Sequence, residues 1–394
     1  MSRLPRPVKL FGFVSLLNDF ASEMIYPLLP AFVTGVLGGG AVSLGTLDGA
    51  ADFAAAMVKY RAGRLADNPR RRGPLIILGY LVAVLVRPVI ALTGAAWQVI
   101  GLRVTDRIGK GIRTPPRDAL VADVTPGQLH GRAFGLQRGL DHAGSVLGPL
   151  VAWWLLSSQT LDVRGVIGAS VIPGVLVLVL AIWAVRAVDG GSGTTAGKAS
   201  KSERPLPPAS AFSRRLPPAL IAIPAFYLLR MPETLILLRT QGIGVSVTSV
   251  LLMWAALHVV RSSTSFVGGA LSDRIGPSRT MWLGWICYAA IATGFALADG
   301  PVMAWVLFLA FGLVAGLTES PERALVSRLA GGKQGTGFGM YHGATGVAAL
   351  AGGILLGYLY QSHSAGLSFL VSAMAAGGLI VSWPLVSRST LRAE

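Results

Sequence analysis

The sequence predicts an all-α integral membrane protein with twelve transmembrane helices in two pseudo-symmetric six-helix bundles. Three observations lead to this fold class: an apolar composition, a row of apolar stretches of spanning length, and motifs that recur in both halves. Of the 394 residues, 53% are hydrophobic and only 13% are charged, and the mean hydropathy is +0.62. Soluble domains carry about 25% charged residues, so this composition favours a chain that resides in a bilayer.

The elements follow from the apolar stretches, because a membrane-spanning helix needs about 20 mostly apolar residues. Residues 187–216 are rich in Gly, Ser, Pro and Lys, which predicts a flexible linker. The expected organisation is therefore a bundle at 1–186, this linker, and a bundle at 217–394. The twelve predicted spans are 10–36, 43–63, 74–94, 96–114, 131–156, 164–186, 217–238, 246–268, 279–298, 301–319, 335–360 and 364–387.

The basic residues indicate how the chain is oriented. The net charge is +16, and the Lys and Arg residues fall mainly in alternate loops, as the positive-inside rule describes for cytoplasmic segments. Both termini are therefore expected in the cytoplasm, with the protein in a bacterial inner membrane. Nucleic-acid binding is disfavoured because the basic residues are spread over many segments instead of one patch. The single cysteine, Cys287, excludes disulfides and cysteine metal cages.

Three pairs of motifs recur in the same order and at a nearly constant offset of 204 to 206 residues. PRDALV at 116–121 matches PERALV at 321–326, and GRAFGLQRG at 131–139 matches GTGFGMYHG at 335–343. GRLAD at 63–67 matches GALSD at 269–273. Matching order after six spans each predicts parallel halves related by an axis along the membrane normal.

Two loops carry a resemblance to a known family. GRLADNPRRR follows the second span and GALSDRIGPSR follows the eighth. Both resemble the G-x-L-a-D-r-x-G-r-[KR] signature of the major facilitator superfamily, although Asn68 and Arg70 replace the usual Arg and Gly in the first copy. The resemblance implies that these loops help to join the halves when the cytoplasmic side is closed. The gating candidates are Gly63, Asp67, Arg71, Gly269, Asp273 and Arg274.

The fifth span is similar to the signature of the antiporter branch of that superfamily, G-x8-G-x3-G-P-x2-G-G. It has the first three glycines and the proline, whereas Ala152 and Trp153 replace the final glycines. Small residues let membrane helices approach closely, and a proline removes one helical hydrogen bond. Ordinary packing would also use such residues, but the spacing favours a hinge at Gly144, Gly148 and Pro149.

Ionisable residues inside spans by default mark a transport pathway or a coupling site, because they are costly in a bilayer. Structural ion pairs between helices are the alternative. By resemblance, spans 1, 4, 7 and 10 line a central cavity. Glu319, Glu322 and Arg323 are expected at the membrane interface. The proton-coupling candidates are Asp19, Glu23, Asp52, Arg103 and Asp106, and the substrate-cavity candidates are Tyr26, Arg138, Asp141, His142, Tyr227, Arg230, Glu233 and His342.

These features predict a secondary active transporter that works by alternating access, with proton-coupled export of a small solute as the expected activity. An importer of a small solute, metal ion or metal chelate is the alternative, and a non-transporting membrane protein is a further one. The sequence has no G-x-x-x-x-G-K-[ST] or H-E-x-x-H motif, so no enzymatic activity, cofactor or metal centre is expected. The expected partners are the lipid bilayer, a small-molecule substrate and protons, with no nucleic acid, and the protein is expected to be a monomer.

Overall fold

The computed structural model describes residues 4–126, 129–189, 219–330 and 334–386, and within these ranges the chain is helical, with no β-strand. Most of the predicted linker, from residue 190 onward, lies outside these ranges. The α-helices are α1 (Arg6–Glu23), α2 (Leu29–Ala31), α3 (Ala41–Ala66), α4 (Pro69–Val89), α5 (Ala96–Asp123), α6 (His130–Ser157), α7 (Val163–Ala169), α8 (Val171–Asp189), α9 (Ala219–Leu229), α10 (Glu233–Gly242), α11 (Val247–Ile275), α12 (Pro277–Leu297), α13 (Pro301–Ala330), α14 (Gln334–Ser362) and α15 (Ala365–Val386).

Three of the predicted spans are interrupted. In the first, α1 ends at Glu23, and a 3₁₀ turn (Tyr26–Leu28), the short α2 and a π turn (Phe32–Val36) follow. Pro27 and Pro30 lie in this irregular stretch, where each lacks the N–H that a regular helix needs. The sixth span divides into α7 and α8, and the seventh into α9 and α10, with Pro232 at the N-cap of α10.

The two matched loops turn in different ways. Gly276 joins α11 to α12 at φ 89°, a left-handed conformation that glycine adopts without strain. The first loop lacks this glycine, and Asn68 instead caps α4 by accepting a hydrogen bond from the Arg70 N–H at 3.1 Å. The replacement of Arg by Asn in the first signature therefore supplies a helix N-cap.

Nine helical segments of the described ranges are long and apolar enough to cross a membrane. The integral-membrane, all-α class is thus confirmed, whereas the count of twelve spans is only partly supported. The predicted spans that do not meet this requirement of length and hydropathy are spans 1, 4 and 5. In span 4, which is part of α5, the reason is the number of charged residues. The 28 residues of α5 include Arg103, Asp106, Arg107, Lys110 and Arg113.

The chain forms two compact units, and two of the three divisions between them fall within the first two predicted spans. Unit 1 comprises residues 1–28 and 54–204, and unit 2 comprises residues 29–53 and 205–394. In unit 1, α1 packs against α6 and α8, and α4 packs against α5 and α8. In unit 2, α12 packs against α13 and α15, and α14 packs against α9. The sequence-based boundaries at 187 and 217 stay a prediction, but residues 29–53 pack with the C-terminal helices.

Candidate functional site

Unit 1 contains a buried ionic cluster centred on Asp106 of α5. The Asp106 side chain accepts a hydrogen bond from Arg87 Nε at 2.9 Å and lies 3.4 Å from Arg103 Nη1. Arg87, near the end of α4, also donates from Nη1 to the Asn18 carbonyl at 3.0 Å. All three charged residues are at most 5% exposed. A carboxylate held by two guanidiniums has a fixed counter-charge, as buried ions in proteins require.

Arg113 extends this cluster further along α5. Its Nη1 donates to the Gly79 carbonyl at 3.0 Å and its Nη2 donates to Asn18 Oδ1 at 3.1 Å. The guanidinium also lies over the Tyr80 ring, 4.7 Å from its centroid. Arg87 and Arg113 were not among the candidates predicted from the sequence. Their charge and their position within apolar segments were visible, but their partners come from other helices.

The predicted acids of the first two spans are in different environments. Asp19 is half-buried in α1, where its Oδ1 accepts from the neighbouring Asn18 amide at 2.9 Å, and it forms no ion pair within the described ranges. Glu23 is also half-buried, whereas Asp52 is exposed. Tyr26 is buried, and the centroid of its ring lies 4.8 Å from the Arg103 guanidinium carbon.

The glycines of α6 separate into two groups. A Cβ atom at Gly144 would lie 2.1 Å from the Leu16 carbonyl oxygen, and one at Gly148 would lie 2.4 Å from that of Phe20. Two turns of α6 thus press directly on the α1 backbone. Gly135 is exposed, and a Cβ atom added there would meet nothing within 4 Å, so the close helix approach does not extend to it.

The other α6 candidates are less buried than expected for a shared pocket. Arg138 is exposed, and Asp141 and His142 are half-buried. Asp141 lies close enough to Asp19 for the two carboxyl groups to interact electrostatically. The helix itself continues through Pro149 to Ser157.

Unit 2 has its own ion pairs where the seventh span is interrupted. Glu233, at the start of α10, accepts from Arg261 Nη2 at 2.5 Å and lies 3.5 Å from Arg230 Nη2. Arg261 belongs to α11, and both guanidiniums also lie over the Phe311 ring. The structure therefore brings together Arg230, Glu233 and Arg261 as an ion-paired group, while the cavity role of Arg230 and Glu233 stays a prediction.

Glu322 is a second acidic site in unit 2, and it is buried inside the protein, while its position relative to the membrane interface stays a prediction. The residue is 1% exposed. Its Oε2 accepts hydrogen bonds from the Tyr227 hydroxyl at 3.2 Å and from the Tyr341 hydroxyl at 3.0 Å. Glu319 and Arg323, for which the same position was predicted, are exposed. His342 is half-buried, and its ring lies 4.8 Å from that of Tyr341.

The predicted gating residues lie near exposed surfaces. Asp67, Arg71, Asp273 and Arg274 are all exposed, and neither aspartate forms an ion pair with any residue in the described ranges. In the first loop it is Arg72 that pairs, with Asp123 at the end of α5. A Cβ atom added at Gly63 or Gly269 would meet nothing within 4 Å. The gating role of this set remains a prediction.

Comparisons with known proteins place these features in a family. The sequence model of the Major Facilitator Superfamily matches residues 11–344. The chain belongs to the major facilitator superfamily. It is accordingly a multi-pass membrane transporter. The described part of this transporter contains no group of three or more His, Cys, Asp or Glu residues that could hold a metal ion.

Sequence relatives match this transporter over nearly its whole length or over about a third of it. An uncharacterized MFS-type transporter of Methanocaldococcus jannaschii is 28% identical over 392 residues, covering 95% of this chain and 93% of the relative. The multidrug resistance protein MdtH of Photorhabdus laumondii is 31% identical over 144 residues, or 36% of each chain.

Solved structures confirm the fold of the transporter. The nucleoside transporter NupG superposes with a TM-score of 0.76 at 12% identity, covering 98% of this chain and 100% of NupG. A D-xylose–proton symporter superposes with a TM-score of 0.68 at 13% identity, covering 95% and 96% of the two chains. At these identities the likeness concerns the fold alone.

Proposed function

We propose that this transporter exports a small solute from a bacterial cytoplasm in exchange for protons, with both termini on the cytoplasmic side of the inner membrane. The fifth-span signature, which is similar to that of antiporters, supports exchange. The partial similarity to the multidrug resistance protein MdtH supports export. The alternating basic loops of the sequence support the orientation.

The observation that carries the proton coupling is the environment of Asp19. This acid is half-buried in a span and forms no ion pair within the described ranges, whereas Asp106 is held by Arg87 and Arg103. Lys110 acts on Asp19 electrostatically without forming an ion pair with it in the described ranges. A carboxyl group without a contact ion pair can gain and lose a proton as its surroundings change. Asp19 is therefore a better proton carrier than Asp106, which we assign to the structural cluster.

Neighbouring acids support this assignment. Glu23 follows Asp19 by one helical turn, on the same face of α1. Asp141 interacts with Asp19 electrostatically from α6. Asp19, Glu23 and Asp141 thus form one acidic set in unit 1, and we assign the coupling proton to this set.

The test uses everted membrane vesicles that carry an imposed pH gradient, reported by a fluorescent dye. Ethidium and a panel of anionic, cationic and zwitterionic solutes are added in turn, and a solute that exchanges for protons dissipates the gradient. In Asp19→Asn this response should be lost, because asparagine cannot cycle a proton. Substrate-for-substrate exchange in proteoliposomes without a gradient should continue, because it needs no net proton movement.

The matched control is Asp299→Asn, which neutralises an exposed acid in the loop between α12 and α13. It should respond as the wild type does. Gradient-driven transport that persists in both Asp19→Asn and the Asp19→Asn/Glu23→Gln double variant would contradict the assignment of the proton to this pair.

A further inference from the structure

Glu322 of α13 is an acid that the proposed coupling at Asp19 does not use, and its surroundings are unusual. Both bonds that it accepts, from Tyr227 and Tyr341, end on Oε2. The other oxygen, Oε1, is buried and has no hydrogen-bond partner in the described ranges. Two helices, α9 and α14, thus each place one neutral phenol against the carboxyl group that α13 carries.

The charged residues around Glu322 do not provide a counter-ion at contact distance. Arg230 acts on it electrostatically, but the Arg230 guanidinium pairs with Glu233, which also binds Arg261. Glu319, one turn earlier in α13, adds a like charge. Glu322 itself forms no ion pair with a residue that the structure describes.

This geometry matches a neutral carboxylic acid. The carbonyl oxygen of such a group has two lone pairs and can accept two hydrogen bonds, and the other oxygen carries the proton. Oε2 accepts two bonds and Oε1 accepts none. An ionised carboxylate would leave a charged oxygen buried without a partner, which is far more costly than burying a neutral hydroxyl.

We propose that Glu322 is a proton-binding site of unit 2, held in place by Tyr227 and Tyr341. When the site is closed, Oε1 carries the proton. When water reaches the site, the O–H bond breaks, the proton passes to water, and the two phenols remain as donors to the carboxylate. The inference goes beyond the proposed coupling at Asp19 by placing a second exchangeable proton in the other unit.

Infrared spectroscopy of the purified protein at neutral pH tests this directly, because a protonated carboxyl group has a C=O stretch separate from that of a carboxylate. The wild type should show this band, and Glu322→Gln should lack the corresponding intensity. Asp299→Asn is the control, at an exposed acid in the loop between α12 and α13, and it should keep the band. Glutamine keeps a carbonyl that can accept from both tyrosines, so the fold should be retained.

Two further measurements decide whether the proton is bound at this site and can leave it. Tyr341→Phe removes one donor to Oε2, so the Glu322 band should move to higher frequency. Transfer to D₂O should move the wild-type band to lower frequency as O–H becomes O–D. The proposal is overturned if Glu322→Gln leaves the spectrum unchanged, if Tyr341→Phe leaves the band in place, or if the band does not respond to D₂O. None of these readouts needs a substrate or a gradient, so they separate this site from the coupling proposed at Asp19.

Discussion

Asp106 and Glu322 are equally buried acids whose partners give them different properties. Arg87 and Arg103 surround Asp106, and each contributes a positive charge. Tyr227 and Tyr341 contribute only hydroxyl groups to Glu322. Since a buried charge needs compensation, the first arrangement suits a permanent ion pair and the second suits a group that binds a proton.

Arg87→Met should strongly destabilise unit 1, because it removes the 2.9 Å bond to Asp106 and the bond to the Asn18 carbonyl. Removing one partner of a buried pair typically costs about 3–5 kcal/mol. The measurement is the apparent melting temperature of the purified protein in detergent. The matched control is Arg138→Met, at an exposed arginine of α6, which should shift the melting temperature far less. Equal shifts in the two variants would mean that the Asp106 cluster contributes little to stability.

At the scale of helices, the contact between α1 and α6 depends on two glycines. Gly144 and Gly148 face carbonyl oxygens of α1, which are backbone atoms and cannot move aside as a flexible side chain can. The contact lies within unit 1. The structure therefore assigns these glycines to the packing of one unit, and the hinge role inferred from the fifth-span signature stays a prediction.

Gly→Ala substitutions at two positions of α6 should change the stability of the protein in opposite directions. Gly148→Ala places a methyl group 2.4 Å from the Phe20 carbonyl oxygen and forces the helices apart. Overpacking of this kind costs about 1–3 kcal/mol. Gly135→Ala meets no atom within 4 Å, and alanine is favoured over glycine in a helix by about 1 kcal/mol. Thermal unfolding of the two variants beside the wild type checks this, and a stabilising Gly148→Ala would show that the helices can separate there at little cost.

The helices themselves could largely be predicted from the sequence, because apolar length and turn residues are local signals. The predicted span 279–298 corresponds to α12, and 364–387 corresponds to α15. The first span was less well predicted, since its apolar run continues to residue 36 while Pro27 and Pro30 interrupt the regular helix after Glu23. The same proline signal at Pro232 accompanies the division of the seventh span.

At the scale of the whole molecule, the fold could be predicted because the same motifs recur in both halves of the sequence and indicate two related bundles. The partners within the site could not. Glu322 meets Tyr227, which is 95 residues away, and Tyr341, which is 19 residues away. No local pattern encodes these contacts, and the position of Glu322 near the predicted cytoplasmic end of the tenth span gave no sign of its two tyrosine partners. Arg87 was missed for the same reason, because its counter-ion lies on the next helix.

Residues 29–53 pack with the C-terminal helices although they belong to the first part of the chain. Asp48 accepts hydrogen bonds from the N–H and the hydroxyl of Thr234 at the start of α10, at 3.1 and 2.8 Å. Gly45 and Gly353 meet backbone to backbone, since a Cβ at Gly45 would lie 1.9 Å from the Gly353 carbonyl oxygen. The bundles predicted from the sequence, 1–186 and 217–394, place this stretch and the C-terminal helices in different halves. If those bundles are the moving bodies, this contact opens in each transport cycle.

A reversible cross-link across this contact should therefore arrest transport. The Val42 N–H donates to Gln361 Oε1 at 3.2 Å, which places Val42→Cys and Gln361→Cys within reach of a short, cleavable thiol reagent in a Cys287→Ser background. The pH-gradient assay should show loss of transport after cross-linking and recovery after reduction. The matched control is Arg72→Cys/Asp123→Cys, which replaces an ion pair between two helices of the same predicted bundle, 1–186, and should tolerate the same cross-link because these helices move together. If the fully cross-linked Val42/Gln361 variant transports as fast as the same variant without the cross-link, this prediction is wrong. Residues 29–53 then move with the C-terminal helices, and the two compact units are the moving bodies.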